Sequence, residues 1–338
     1  MKVNTDWNGK HIVISRTDSI GDVILTLPVC AKLKAMYPNC TITFLCKNYT
    51  VPIVKNYKSV DHILILDELQ KYSPEEQVSR IKSEKYDAIV HVFPNKELGK
   101  LFKKAKVKSR IGTSHRLHHL LTCNIRPSFT RKGSNLHESQ LNFKLLESFG
   151  ISEVPSLNEI RSFNSDFSIK DVDLPTELAS IDFESTICLH PKSQGSAVEW
   201  PMEKYSELAL KLSGNGKTVC FTGTEKEGLQ FRSEIPVHER IIDTTGKLSI
   251  DQLQTLIKKS IGLVACSTGP LHIAAIQERK AIGLYCPRVP IHPGRWMPLG
   301  LHAVALVNDP NCKECAEGNP CDCITKINVE KVYKELNK

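Results

Sequence analysis

Short apolar, β-branched runs alternate with amphipathic stretches along the chain. HIVIS (11–15) is followed by a helical pattern over 20–36, TITFLC (41–46), DHILIL (61–66), a helix near 74–84 and DAIVHVF (87–93). Runs that are apolar throughout belong to strands buried on both faces, and this rhythm predicts stacked βαβ units around a parallel sheet. A helical segment at 134–149 leads into a polar, Pro/Ser-rich stretch, 150–185, which reads as a linker with an edge strand. The alternation then restarts with TICLH (186–190), a helix from Pro201, KTVCFTG (217–223), a helix around 249–259, GLVAC (262–266), a helix after Gly269 and AIGLYC (281–286). Two doubly wound α/β domains are expected, over 1–165 and 166–325, with a last helical stretch, 326–338, packing back on the first.

Composition narrows the class. A chain of 338 residues with 41% hydrophobic and 24% charged residues can fill two cores. No apolar run approaches the roughly 18 to 20 residues that span a bilayer, and the first residues carry no signal-peptide pattern, so a cytoplasmic protein is expected. The net charge of +8 is uneven: residues 1–165 hold 25 Lys/Arg against 15 Asp/Glu, and residues 166–338 hold 20 against 22. Within 96–132 there are eleven Lys/Arg and a single acid, Glu97. Such a stretch suits an anionic partner, a nucleic acid, a phosphorylated glycolipid or a membrane surface; a solvated basic helix and loop is the plain alternative.

In open α/β sheets, ligands bind where strands run out into helix N-termini. The first strand runs into Arg16-Thr17-Asp18-Ser19-Ile20-Gly21-Asp22. Gly21 permits close backbone approach, and Asp18 and Asp22 share a helix face; equally, Asp18 reads as an N-cap and Asp22 as a first-turn acid. No G-x-G-x-x-G is present, which disfavours a nicotinamide or flavin cofactor. The loop His190-Pro191-Lys192-Ser193, running on to Trp200-Pro201, can hold phosphate through backbone N–H groups, hydroxyls and Lys192. Thr222-Gly223-Thr224-Glu225 places acids where ribose hydroxyls are often gripped. Ser267-Thr268-Gly269-Pro270-Leu271-His272 opens another helix, with a capping hydroxyl, free N–H groups for an anion, and His272 in the first turn.

These motifs, in this order over residues 11 to about 290, resemble glycosyltransferase family 9, the ADP-heptose:lipopolysaccharide heptosyltransferases. The resemblance implies a GT-B fold, two Rossmann-like domains facing a cleft, and metal-independent, inverting transfer of a sugar from a nucleotide diphosphate. It implies Asp22 as catalytic base and a nucleotide-sugar donor, ADP-heptose by default, for which the loops described above offer Lys192, Ser193, Glu225, Thr268, Gly269, Pro270 and His272, with Arg288 as a further cation. The acceptor implied is an anionic glycolipid at the cytoplasmic membrane surface, met by Arg16, Asp18, Gly21, Lys100, Arg110 and Arg116. Lys103, Lys104, Arg126 and Arg131 extend that basic face toward acceptor or headgroups; the protein would then be cytoplasmic and peripheral to the inner membrane.

Two departures from the family pattern stand out. Val198 and Glu199 stand where a cation usually precedes Trp-Pro, and Ser267 where an Asp precedes Thr-Gly. Charge on the departing diphosphate still needs a counter-charge, for which Lys192 is the first candidate and Arg288 or Arg295 the substitutes.

Eight of the twelve cysteines lie in apolar contexts and read as reduced core thiols; Cys312, Cys315, Cys321 and Cys323 crowd together. Reduced or paired cysteines are the first reading; four thiolates within twelve residues can also wrap a structural zinc, although the short Cys-x-Cys is atypical of zinc ribbons. Competing functions are a nucleotide-sugar epimerase of the same architecture, an inactive relative, and a nucleic-acid-binding module. The last is disfavoured because only 7% of residues are aromatic.

Overall fold

The structure, a computed structural model, describes residues 6–338. The chain divides into two units between Ser168 and Ile169. In the first, β1 (His11–Ser15), β2 (Thr41–Cys46), β3 (His62–Ile65), β4 (Ala88–His91) and β5 (Ser109–Ile111) form one sheet in the order β3-β2-β1-β4-β5. Every pairing is parallel, and Ser15 stands in register with Leu45 on one side and His91 on the other. Val13, Leu45 and Ile89 pack against Leu98, Leu101 and Phe102 of the Lys96–Lys104 helix. That helix starts at Asn95, whose side chain accepts from the N–H groups of Glu97 and Leu98, and it turns its lysines outward. The Pro74–Ser83 helix is closed at its start by a Ser73–Glu76 capping box.

The helical pattern over 20–36 is two helices, Ile20–Ile24 and Leu27–Met36. Pro28 cannot donate to an upstream carbonyl and would clash with one in a continuous helix, so the chain breaks at Leu25-Thr26. The exposed groups are recovered: Thr26 Oγ1 donates to Asp22 O at 2.8 Å, and Asn142 Nδ2 donates to Leu25 O at 3.1 Å. Of the helix expected over 134–149, Glu138–Phe143 is α-helical and Lys144–Phe149 is a 3₁₀ turn. The stretch read as a linker contributes the Leu157–Ser162 helix and a single antiparallel bridge, Phe167 to Tyr57, tying it to the first unit.

In the second unit, β6 (Thr186–His190), β7 (Thr218–Phe221), β8 (Ile241–Asp243), β9 (Gly262–Cys266), β10 (Lys280–Tyr285) and β11 (Ala303–Val307) are again all parallel, in the order β11-β10-β9-β6-β7-β8. Their core includes Trp200, which packs edge-to-face against Tyr205 and donates Nε1 to Ile327 O at 3.1 Å. The expectation for 326–338 is corrected here. The Val329–Leu336 helix inserts Val329, Val332 and Leu336 into the second unit's own core beside Leu208 and Leu212, and Lys280 Nζ caps it at Leu336 O. Two tandem doubly wound parallel units are the GT-B architecture.

Candidate functional site

Each sheet reverses its winding once among the described strands, between β1 and β4 in the first unit and between β6 and β9 in the second. Ligand crevices open at the carboxyl ends of strands flanking such a reversal. The motifs singled out above follow β1, β6 and β9.

Beyond β1, Arg16 is buried, its side chain 4% exposed, at the centre of a carboxylate cluster. Its Nε donates to Asp18 Oδ1 at 2.7 Å, Nη2 donates to Asp22 Oδ1, and Nη1 donates to Glu138 Oε1 at 3.2 Å. Ser19 Oγ donates to the other oxygen of Asp22. Arg131 reaches the same ensemble, donating to Glu138 Oε1, to Asn142 Oδ1 at 3.0 Å and to Val92 O at 3.2 Å. Burial would lower the Arg16 pKa, but the charges of Asp22, Asp18 and Glu138 outweigh it and hold the guanidinium above its ordinary value. Burial pushes the Asp18 carboxyl up to about 6, with Arg16 pulling against it and the Asp22 charge adding to it.

Asp22 is thus held at both oxygens and remains 15% exposed at the head of a helix, where a partner hydroxyl can approach. Gly21 is buried beside it. Arg16, expected to touch the acceptor, has its guanidinium bound to Asp18, Asp22 and Glu138. Arg110 is likewise occupied, donating to Thr122 O at 2.8 Å and to Val107 O. Lys100 pairs with Glu97 at 3.0 Å and Arg116 is exposed at the start of the Leu117–Thr122 helix. Glu138, Asn142 and Arg131 as holders of the cluster escaped sequence reasoning, because more than a hundred residues separate them from Arg16 and no local pattern links them. At the carboxyl ends of the same two central strands, Ser15 Oγ and both ring nitrogens of His91 are buried without a protein partner, and burial pushes His91 down to about 3, so the ring is neutral.

The second unit places three loops at neighbouring strand ends. After β6, His190 is buried with Nδ1 3.0 Å from Thr222 Oγ1. Lys192 Nζ lies 3.1 Å from Glu199 Oε2, and Glu199 also accepts from Ser193 N at 2.7 Å and Ser193 Oγ at 2.9 Å. Glu199, where the resemblance led us to expect a cation, therefore organises the loop and balances Lys192, and the Ser193 hydroxyl is spent inside it. After β7, Glu225 pairs with Arg232 at 2.8 Å; Glu227, not Glu225, makes the capping box with Thr224. After β9, Thr268 occupies the N-cap position of the Gly269–Ile276 helix, yet its side chain does not cap: Oγ1 is buried and unpartnered. A hydroxyl left unsatisfied beside the N–H groups of a helix start is the arrangement an incoming anion completes. Gly269 and Pro270 form the first turn, and His272 is buried within it. After β10, Arg288 Nη2 donates to Gly318 O and Asn319 O at 2.8 and 2.7 Å. Arg295 is buried.

The Sγ atoms of Cys312, Cys315, Cys321 and Cys323 all lie within 4.8 Å of one another. Cys312 and Cys321 are 3.3 Å apart, Cys321 and Cys323 3.1 Å, and all the cysteines are free. Ligands at about 2.3 Å from a tetrahedral ion stand roughly 3.8 Å from each other, a spacing this cluster brackets.

Comparison with known proteins agrees with these motifs. The model of glycosyltransferase family 9 (heptosyltransferase) matches residues 78–324. Lipooligosaccharide heptosyltransferase 2 of Haemophilus influenzae is 22% identical over 298 residues, covering 83% of this chain and 84% of that one. The glycosyl transferase family 9 structure from Veillonella parvula superposes with a TM-score of 0.79 at 19% identity, over 98% of this chain and 97% of the other. The structure of Escherichia coli ADP-heptose lps heptosyltransferase II gives 0.72 at 17% identity, over 97% of both.

Proposed function

Because the chain belongs to glycosyltransferase family 9 and is a glycosyltransferase, we propose that it moves heptose from ADP-heptose, with inversion, onto a lipopolysaccharide core acceptor. The observation that carries this reading is Asp22, held at both carboxylate oxygens by Arg16 and Ser19 at the carboxyl end of β1. In the proposed step the acceptor oxygen attacks the anomeric carbon and its proton passes to Asp22. The bond from that carbon to the diphosphate oxygen breaks, and the electron pair leaves with the nucleoside diphosphate. Arg16, fixed by Glu138 and Asn142, positions the base without touching substrate.

On the donor side, the free N–H groups at the start of the Gly269–Ile276 helix and the unpartnered Thr268 hydroxyl take the diphosphate, with Lys192 and Arg288 supplying positive charge. Glu225 and His272 stay with the donor subsite in this reading, Glu225 through its pair with Arg232. Lys100 and Arg116 face the anionic acceptor. The family match selects transfer over the epimerase reading. Among the described residues no helix is long and apolar enough to cross a membrane, and an acceptor carried in the cytoplasmic leaflet would be met from its surface.

The four clustered cysteines are proposed to hold one structural zinc ion. Their sulfur spacing fits four thiolate ligands, and Val198 and Ile291 pack against them, so the knuckle braces the loops after β6 and β10. Incubation with ADP-heptose and a heptose-deficient lipopolysaccharide core, followed by mass spectrometry, tests the transfer. The reading predicts addition of one heptosyl unit; thermal stabilisation by another nucleotide sugar and none by ADP-heptose would reassign the donor.

A further inference from the structure

Single exposed apolar residues are ordinary on a protein surface, whereas several side by side mark an interaction site. Leu229, Val237 and Leu301 are exposed singly. The Leu117–Thr122 helix is different: Leu117 is 84% exposed, Leu120 50% and Leu121 74%. Positions three and four apart share a helix face, so the three leucines form one outward ridge while His119 and Thr122 turn inward and are buried.

The ridge is held rigidly. A Cβ at Gly99 would lie 2.8 Å from Thr122 Oγ1, so glycine there lets the Lys96–Lys104 helix approach closely. Lys103 Nζ donates to Leu121 O at 2.7 Å and Arg110 Nε to Thr122 O at 2.8 Å. Between the two helices runs a groove of about 490 Å³ walled by lysine stems, His118 and Leu121. Lys96, Lys100 and Lys104 are exposed around it, Arg116 is exposed at the start of the leucine helix, and Glu97 is the single acid among residues 96–132. Apolar side chains ringed by cations complement a surface that is negative outside and apolar beneath, which is an anionic lipid leaflet.

We propose that the Leu117–Thr122 helix is a membrane-docking wedge: Leu117, Leu120 and Leu121 enter the headgroup–acyl boundary of an anionic bilayer while Lys96, Lys100, Lys104 and Arg116 contact lipid phosphates. This deepens the reading that the acceptor is carried by a lipid, and it assigns the contact to one helix. Leu117, Leu120 and Leu121 make the hydrophobic contribution, and the cations make binding depend on lipid charge and salt.

The test is flotation of the full chain with vesicles of phosphatidylcholine alone or with 30% phosphatidylglycerol, at low and high salt. Binding to the anionic vesicles is expected to exceed that to neutral ones at least tenfold and to fall with salt, each cation being worth roughly a fivefold change in partitioning. The Leu117→Ser/Leu120→Ser/Leu121→Ser variant is expected to lose about tenfold or more of that binding with an unchanged melting temperature, because the replaced side chains already face water. Leu121→Trp supplies a second readout, an emission that shifts to the blue on anionic vesicles while that of the wild type does not. Equal binding to both vesicle types, unchanged binding of the triple variant, or an unshifted emission from the Leu121→Trp variant overturns the proposal; so does a self-associated chain that the triple variant converts to monomers. Transfer to a delipidated, water-soluble acceptor separates the two readings. The triple variant is expected to match the wild type there, whereas a wild type inactive on that acceptor counts against the transfer reading and leaves the vesicle result standing.

Discussion

Arg16→Met removes the cation around which Asp18, Asp22 and Glu138 gather while keeping an unbranched apolar stem. Glu138 retains Arg131, so the uncompensated pair is Asp18 and Asp22, whose side chains are 21% and 15% exposed. Breaking a buried ion pair from one side costs about 3–5 kcal/mol. The penalty has a defined pH dependence. In the wild type the folded Asp18 carboxyl titrates at about 6, above its unfolded value of roughly 3.9, so between those values the folded state binds the extra proton. Stability from this group is therefore fully present below about pH 4 and falls as pH rises through 6, by about 1.4 kcal/mol per unit and roughly 3 kcal/mol in all. Without Arg16 the folded carboxyl titrates higher still, and the loss continues past that point. The destabilisation of Arg16→Met should be smallest near about pH 4.5 and largest near about pH 8. Hydrogen exchange of the His11–Ser15 and Ala88–His91 amides reads the stability of the first unit directly. A penalty below about 1 kcal/mol at the alkaline end, or one independent of pH, would refute the placement of Arg16 as the buried counter-charge.

Glu199→Gln frees the Lys192 ammonium, and donor affinity should rise about threefold, whereas Lys192→Ala should weaken it about tenfold; isothermal titration with the donor nucleotide reads both, and effects of equal sign would break the assignment. Thr268→Val should act with opposite signs, weakening donor binding by about three- to tenfold while leaving the melting temperature equal or higher, since an unpartnered buried hydroxyl is removed. Elemental analysis should find one metal ion per chain, and Cys315→Ser or Cys323→Ser should lose it together with thermal stability of the second unit; a metal-free wild type with an unchanged melt on chelation would exclude the thiolate site.

Both sheets were legible because fully buried parallel strands are apolar from end to end. The strands missed are of another kind. β5 is three residues containing Arg110 and β8 ends on Asp243, so neither carries the signal of a central strand, whereas β11, AVALV, is apolar throughout though half-buried at the sheet's edge, and its signal was there to be read. The division of 20–36 was readable in principle from Pro28. The C-terminal helix was misplaced because an amphipathic stripe states that it must be covered and not by what; Leu208 and Leu212, over a hundred residues earlier, decide that. The Trp200-Pro201 motif turned out to be a core anchor, its indole bound to Ile327 O. At the site, the Asp22 helix start was visible in the motif, but the partners of Arg16 were not. Lys192 looked like a free cation until Glu199, seven residues on, was seen to fold back on it.

The proposed chemistry rests on Asp22 as the group that takes the acceptor's proton. The most direct measurement is kcat for Asp22→Asn beside the donor dissociation constant, with Asp18→Asn as the neighbouring control. A loss of kcat of about a hundredfold to ten-thousandfold, with donor affinity within about twofold of the wild type, is the predicted result. An Asp22→Asn enzyme that turns over within about threefold of the wild type would contradict it.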